Sequence, residues 1–259
     1  MSRPRRRATF VAIGTSAAIG TAALGTAAVV GRSLVLRRRT AGVSELADKI
    51  PEHSAYWRDQ RRKGGELLYV ALGDSAAQGI GGSRPNRSYV GLLAKTIRAA
   101  SGRTVRVANL SQSGARLRDA IEKQVPALAK LSPDIVTVSI GANDIATFER
   151  DRFERELRYI LDALPATAIV ADLPSFYLGE FERRVLAANE IVRRVAAEHG
   201  YAVAPLHSTT RGRTAARTAL RDVAKDFFHP NDRGYAVWAS AFEPLVRAAV
   251  GALATRPRA

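Results

Sequence analysis

From Glu66 onward, short runs of nearly continuous hydrophobic residues alternate with longer stretches whose apolar positions recur every three to four residues. The runs fall at 67–72, 104–110, 134–140, 167–173 and 201–206. Unbroken apolar character predicts strands buried on both faces, as in a parallel sheet. Helical periodicity predicts helices near 88–100, 116–131, 149–164, 180–199 and 231–253. Gly102, Pro133, Pro165 and Gly200 punctuate the connections, while Pro126 and Pro244 fall inside helical patterns and predict kinks or splits there. The alternation predicts an α/β fold with one open parallel sheet. In such sheets ligands bind outside the carboxyl ends of the strands, so the residues just after each run are where chemistry is expected.

The N-terminal segment has a different character. Residues 8–31 are 24 consecutive uncharged positions, flanked by Arg3, Arg5, Arg6 and Arg7 before and by Arg32, Arg37, Arg38 and Arg39 after. As a helix rising about 1.5 Å per residue the stretch reaches roughly 36 Å, enough for a bilayer core of about 30 Å. Eight Ala, four Gly and five Ser or Thr dilute its seven strongly apolar residues. An uncleaved transmembrane signal-anchor and a cleaved secretory signal leaving through small residues such as Gly25, Thr26 and Ala27 both fit this pattern. Basic residues on both sides leave orientation open. The expected organisation is therefore a hydrophobic N-terminal helix in 1–31, a basic connector over 32–65 and a catalytic-sized domain over 66–255. The domain would sit outside the cytoplasmic membrane, anchored through residues 8–31 or secreted. In the connector, Tyr56 and Trp57 read either as a packed short helix or as residues resting at the membrane interface.

Composition narrows the function classes. The 259 residues are 46% hydrophobic and 25% charged, which excludes wholesale disorder and a polytopic membrane protein. No cysteine is present, which excludes disulfides, thiolate metal sites and a cysteine nucleophile. The net charge of +16 invites a nucleic-acid reading, but half of it lies in the first 39 residues, which hold eight arginines and no acid. The other arginines are scattered among acids, as over 149–158, so a basic solvated surface is the expectation and no nucleic-acid partner is implied.

The strand exits carry the pieces of a serine hydrolase. After the first run comes Gly73-Asp74-Ser75; after the second, Ser111-Gln112-Ser113-Gly114; after the third, Gly141-Ala142-Asn143-Asp144; and before the last helix, Asp226-Phe227-Phe228-His229. A serine hydroxyl needs an imidazole to accept its proton and a carboxylate to hold that imidazole in one tautomer. Of His53, His199, His207 and His229, only His229 has an acid three residues earlier, close enough on a tight turn for Asp226 to reach Nδ1 and leave Nε2 for a serine. The other three histidines read as solvated or locally capping. Each fragment alone is weak, since Asp74 or Ser75 would also cap a helix. Their order and placement make them specific together.

These four blocks resemble those of the SGNH, or GDSL-type, esterase and lipase superfamily, over residues 66–253. The resemblance implies a three-layer α/β/α, flavodoxin-like fold with a five-stranded parallel sheet in the order 2-1-3-4-5. It also implies Ser75 as nucleophile, His229 as general base and then acid, and Asp226 as the orienting carboxylate. The oxyanion hole it implies is the N–H groups of Ser75 and Gly114 with the side-chain amide of Asn143. No catalytic block is missing. The Gly-x-Ser-x-Gly elbow of the other large hydrolase fold is absent, Ala77 standing at its second glycine. Gly79, Gly81 and Gly82 lack dinucleotide spacing and are expected to let the loop after the nucleophile turn tightly. Neither metal nor organic cofactor is implied. The expected reaction is hydrolysis of a small-molecule or lipid ester through an acyl-enzyme. Acyl transfer to a hydroxyl acceptor and a noncatalytic membrane-tethered binding module are the alternatives. Phe148, Phe176, Tyr177, Phe227 and Phe228 are candidates for an acyl pocket or for core packing, and 211–225 reads as an exposed helix, a lid over the site being the alternative.

Overall fold

The computed structural model describes residues 44–254 apart from 178, 213, 215–217 and 219–220. The hydrophobic stretch 8–31 lies outside the described residues.

Five parallel strands, β1 (Leu67–Gly73), β2 (Val105–Asn109), β3 (Ile135–Ser139), β4 (Ala168–Ala171) and β5 (Ala202–Ala204), form one sheet in the order β2-β1-β3-β4-β5. The fold is the expected three-layer α/β/α architecture. Every residue of β1 is buried because both faces of the sheet are covered. Leu68, Val70 and Leu72 face one core, and Leu67, Tyr69 and Ala71 face the other. The first core is closed by α4 (Leu117–Asp119), α5 (Val125–Leu128), α6 (Arg150–Asp162) and α7 (Gly179–Glu198). The second is closed by α1 (Ile50–Arg62), α2 (Ser75–Gln78), α3 (Tyr89–Ser101), α8 (Leu206–Arg211) and α9 (Asp232–Ala254). In α6 the buried Phe153, Leu157, Ile160 and Leu161 recur at helical spacing, the amphipathic stripe that docks a helix on a sheet.

Register places the site. β1 pairs with β2 up to Ala71↔Asn109 and with β3 up to Gly73↔Ser139, so three carboxyl ends and the loops after them meet at one edge.

The two prolines act differently. Ahead of Pro126 the chain runs as a π-helical turn over Ala120–Gln124 between α4 and α5, whereas α9 continues through Pro244. α9 is, among the described residues, the one helix long and apolar enough to cross a membrane. Its Tyr235, Trp238, Phe242, Val246 and Val250 are buried in the second core, with Tyr89 stacked on Phe242 at 5.3 Å between ring centroids.

The described part of the 32–65 segment is structured rather than a plain connector. α1 buries His53 and Trp57, and His53 Nδ1 and Trp57 Nε1–H both meet the carbonyl of Gln78, each at 3.0 Å. The packed-helix reading of Trp57 holds, and His53 is not solvated. We expect Trp57→Ala to destabilise the protein by about 3–5 kcal/mol, by removing a buried indole and leaving a cavity beside α2. Urea unfolding of the full chain measures it, and a loss within error of zero contradicts the docking of α1 as part of the domain.

Candidate active site

Ser75 opens α2 directly after β1, in a turn clamped from two sides. The buried Gln124 side chain accepts from Gly73 N–H (2.9 Å) and donates to the Gly73 carbonyl (2.8 Å). Asp74 Oδ1 accepts from Ala76 N–H at 2.9 Å, capping the turn. Gln78 ties the same turn to the loop after β2, donating to Ser111 O (2.9 Å) and accepting from the Ser113 hydroxyl (2.9 Å). Asn109 adds a further tie, its amide donating to Ala77 O at 2.8 Å.

Asp226 and His229 come from the loop that precedes α9. The Ser75 hydroxyl lies 2.8 Å from His229 Nε2, and His229 Nδ1 lies 2.5 Å from Asp226 Oδ2. With the Nδ1 proton shared with the carboxylate, Nε2 is left to accept from the serine. Asp226 Oδ1 also accepts from the N–H groups of Phe228 and His229, both at 3.1 Å, which folds the loop around its own carboxylate. Burial pushes the Asp226 carboxyl up, but the hydrogen bond and charge of His229 with those two N–H groups outweigh it and hold the group below its ordinary 3.8. Asn231 fixes the other end. Its amide donates to Arg221 O and Val223 O at 2.9 Å each, and its Oδ1 caps α9 through Arg233 and Gly234 N–H.

Gly81 permits the approach of this loop to Ser75. Its φ is +97°, and a Cβ there would lie 2.5 Å from Pro230 O and 2.9 Å from His229 Cβ. Gly114 also has a left-handed φ, +76°, with open space where a Cβ would be. The N–H groups of Ser75 and Gly114 have no acceptor among the described residues. Asn143 Nδ2 is oriented by a 3.0 Å bond to Ala115 O, with a weaker 3.4 Å contact to Asp74 Oδ2. All five residues expected from sequence thus lie at the same edge of the sheet, with Ser75, Asp226 and His229 in one hydrogen-bonded chain.

A cavity of about 300 Å³ opens beside Ser75 and His229, within the range of small-molecule sites. Phe176, Tyr177, Phe181, Phe227, Phe228 and Trp238 give it a mostly apolar wall. Phe181, Phe227 and Phe228 are about half exposed at its rim. Phe148 is instead partly buried against the first core, 5.5 Å from Phe153 between ring centroids. Thr218 and Asp222 bring the 211–225 stretch to the cavity wall, although most of 213–220 lies outside the described residues.

His199 caps as expected, bonding Val195 O and Asp162. His207 does not stay in solvent: its Nε2 meets the buried carboxylate of Glu182 at 3.0 Å.

Two further carboxyls are perturbed upward. Burial raises Asp74 to about 6, only partly offset by Ala76 N–H and His229. Burial likewise raises Asp144 to about 6, against the N–H of Leu117. A carboxyl held protonated by the fold favours the native state fully below its unfolded value of 3.8, and that contribution is lost as pH rises through about 6. Asp74→Asn, which imitates the neutral form, is therefore expected to flatten the fall in stability between about pH 4 and pH 7. Urea midpoints across that range check this, and parallel wild-type and variant curves contradict it.

The sequence profile of the GDSL-like lipase/acylhydrolase family matches residues 71–237. A search of curated proteins gave no match. Among solved structures, the chain is similar to LAE5, an alpha/beta hydrolase enzyme from the metagenome of Lake Arreo, Spain, with 24% identity and a TM-score of 0.58, covering 74% of this chain and 99% of that one. It is similar to TesA, with 22% identity and a TM-score of 0.59 over 71% of this chain and 99% of that one. It is also similar to Axe2, an acetylxylan esterase from Geobacillus stearothermophilus, with 20% identity and a TM-score of 0.57 over 71% and 95%. At these identities the likeness to the solved structures is one of fold.

Proposed function

The chain belongs to the GDSL-like lipase/acylhydrolase family and is a carboxylic ester hydrolase; from that premise we propose that Ser75 is its nucleophile and that its substrate carries an acyl chain longer than acetyl. The observation that carries the assignment is the hydrogen-bonded chain from Ser75 through His229 to Asp226 at the mouth of an apolar cavity.

The proposed reaction proceeds in two halves. Ser75 Oγ attacks the ester carbonyl as His229 Nε2 takes its proton, and Asp226 stabilises the imidazolium formed. The oxyanion of the tetrahedral intermediate accepts from Ser75 N–H, Gly114 N–H and the Asn143 amide, whose loose contact to Asp74 is exchanged for it. Collapse of the intermediate breaks the bond to the alcohol, which leaves with the proton from His229. Water then attacks the acyl-enzyme with His229 again as base, releasing the acid and restoring Ser75.

The aromatic wall supports an acyl chain, because burying apolar carbon there contributes roughly 0.8 kcal/mol per CH₂. Axe2 by its name acts on acetylated xylan, and this wall directs the reading here to longer esters. In the cell, residues 8–31 tether or export the domain, so that it works on esters of the envelope. The uncharged stretch and its flanking arginines support that placement.

Hydrolysis of p-nitrophenyl esters from acetyl to palmitoyl by the full chain tests this reading. The expected optimum lies above acetyl. Ser75→Ala and His229→Ala are each expected to lower kcat by about 10⁴-fold or more. Asn143→Ala is expected to lower kcat by about 10²–10³ with KM little changed, since its bond strengthens only as the oxyanion forms. Turnover that persists in Ser75→Ala contradicts the assignment.

A further inference from the structure

A further buried carboxylate lies behind the cavity wall, and the proposed mechanism does not use it. Glu182, near the start of α7, is almost fully buried. Its oxygens accept from Phe176 N–H (2.6 Å), from the Ser175 hydroxyl (3.1 and 3.2 Å) and from His207 Nε2 (3.0 Å), with Arg211 at 3.9 Å. Burial pushes this carboxyl up, yet these donors outweigh it and hold it below its ordinary value. Ser175 and His207 both point at Glu182 rather than at each other, so the group is a brace and not a second nucleophile with its base.

What the brace holds is the segment of wall from Ser175 to Tyr177. Ser175 N–H donates to Thr210 Oγ1 (2.9 Å), and Ser175 Oγ accepts from Tyr177 N–H (3.0 Å). Tyr177 sits at φ +68°, a conformation that costs a non-glycine residue about 1 kcal/mol or more and persists only when its surroundings fix it. Its hydroxyl reaches Thr210 O (2.9 Å) and Thr218 Oγ1 (2.8 Å), and its carbonyl accepts from Arg211 (2.6 Å). Phe176 packs edge-on against Phe228 at 6.1 Å between centroids, and Phe228 packs edge-on against His229 at 5.1 Å. Phe176 and Tyr177 therefore take their places in the cavity from backbone that Glu182 holds, directly at Phe176 N–H and through Ser175 Oγ at Tyr177 N–H.

We propose that Glu182 is a specificity-determining positioning residue, whose buried carboxylate, with His207 and Ser175, sets the Phe176–Tyr177 wall that receives the acyl chain. It touches no reacting atom. The inference rests on the Ser75 esterase reading and adds which residue selects the ester.

The test uses the full chain, with Glu182→Ala and Glu182→Gln beside the unmodified protein. Three quantities are measured: the rate at which a small fluorophosphonate labels Ser75, and kcat and KM for p-nitrophenyl acetate and for p-nitrophenyl octanoate. In Glu182→Ala, labelling is expected within about threefold of the unmodified rate, while the octanoate-to-acetate ratio of kcat/KM falls about tenfold or more, through KM. Glu182→Gln keeps an acceptor for Phe176 N–H and is expected to recover most of that ratio. An unchanged ratio, or an equal fall for both esters, overturns the proposal. Should Glu182→Ala fail to fold, Ser175→Ala decides: a fall in the ratio supports the brace and an unchanged ratio overturns it. If Ser75 of the unmodified chain takes no label, the catalytic reading fails and the inference falls with it.

Discussion

The hydrogen bond between Ser75 and His229 joins residues 154 positions apart in the chain, and most of the polar architecture at this edge of the sheet serves to let it form. One partner is delivered by a fully buried strand and the other by a loop that wraps its own carboxylate. Neither has freedom to search. β1 is locked between β2 and β3, and its last residue is held by both the oxygen and the nitrogen of the Gln124 side-chain amide. On the other side, Asp226 accepts two backbone N–H groups and one imidazole, so placing the carboxylate also places His229. The Ser75–His229–Asp226 geometry is prepared before a substrate arrives, as the proposed attack by Ser75 requires.

A recurring device secures the strand ends. Gln124 exchanges two hydrogen bonds with Gly73 at the end of β1, and Asn189 of α7 does the same with Leu173 just beyond β4, at 2.7 and 3.0 Å. Backbone that leaves a sheet loses its ladder partners, and buried unpaired groups are costly, so a helix amide that satisfies both donor and acceptor stabilises the exit where it is needed. The π-helical turn over Ala120–Gln124 ends at one of these amides. Gln78 extends the device, since its carbonyl, amide nitrogen and side-chain oxygen together tie the Ser75 turn to α1 and to the loop of Gly114.

The sheet was legible because its strands are buried on both faces, and such strands cannot hide their apolar runs. The ends were less so. The 201–206 run stops as a strand at Ala204 because Pro205 has no N–H to offer and Leu206 begins α8. The 167–173 run stops at Ala171, beyond which Asp172 binds Arg193 and His207 N–H. At the candidate site, the order and placement of the blocks single out Ser75, Asp226 and His229, the resemblance adds Gly114 and Asn143, and the structure brings all five to one edge of the sheet. Gln78, Gln124, Asn231 and Glu182 were not legible, because a buried amide or carboxylate with partners distant in sequence reads like any surface polar residue. Phe148 shows the converse: an aromatic just after a strand exit fits a pocket as well as a core, and only packing against Phe153 decides. His53 reads as solvated or capping from its place in the connector, yet the helical spacing of α1 turns it inward beside Trp57.

If the acyl group passes through Ser75, rapid acid quenching of the full chain during ester turnover, followed by peptide mass spectrometry, captures it there. An acyl adduct is expected on the peptide that contains Ser75, formed within the first turnover and absent in Ser75→Ala. An adduct on Ser111 or Ser113 instead, or its persistence in Ser75→Ala, would contradict passage through Ser75.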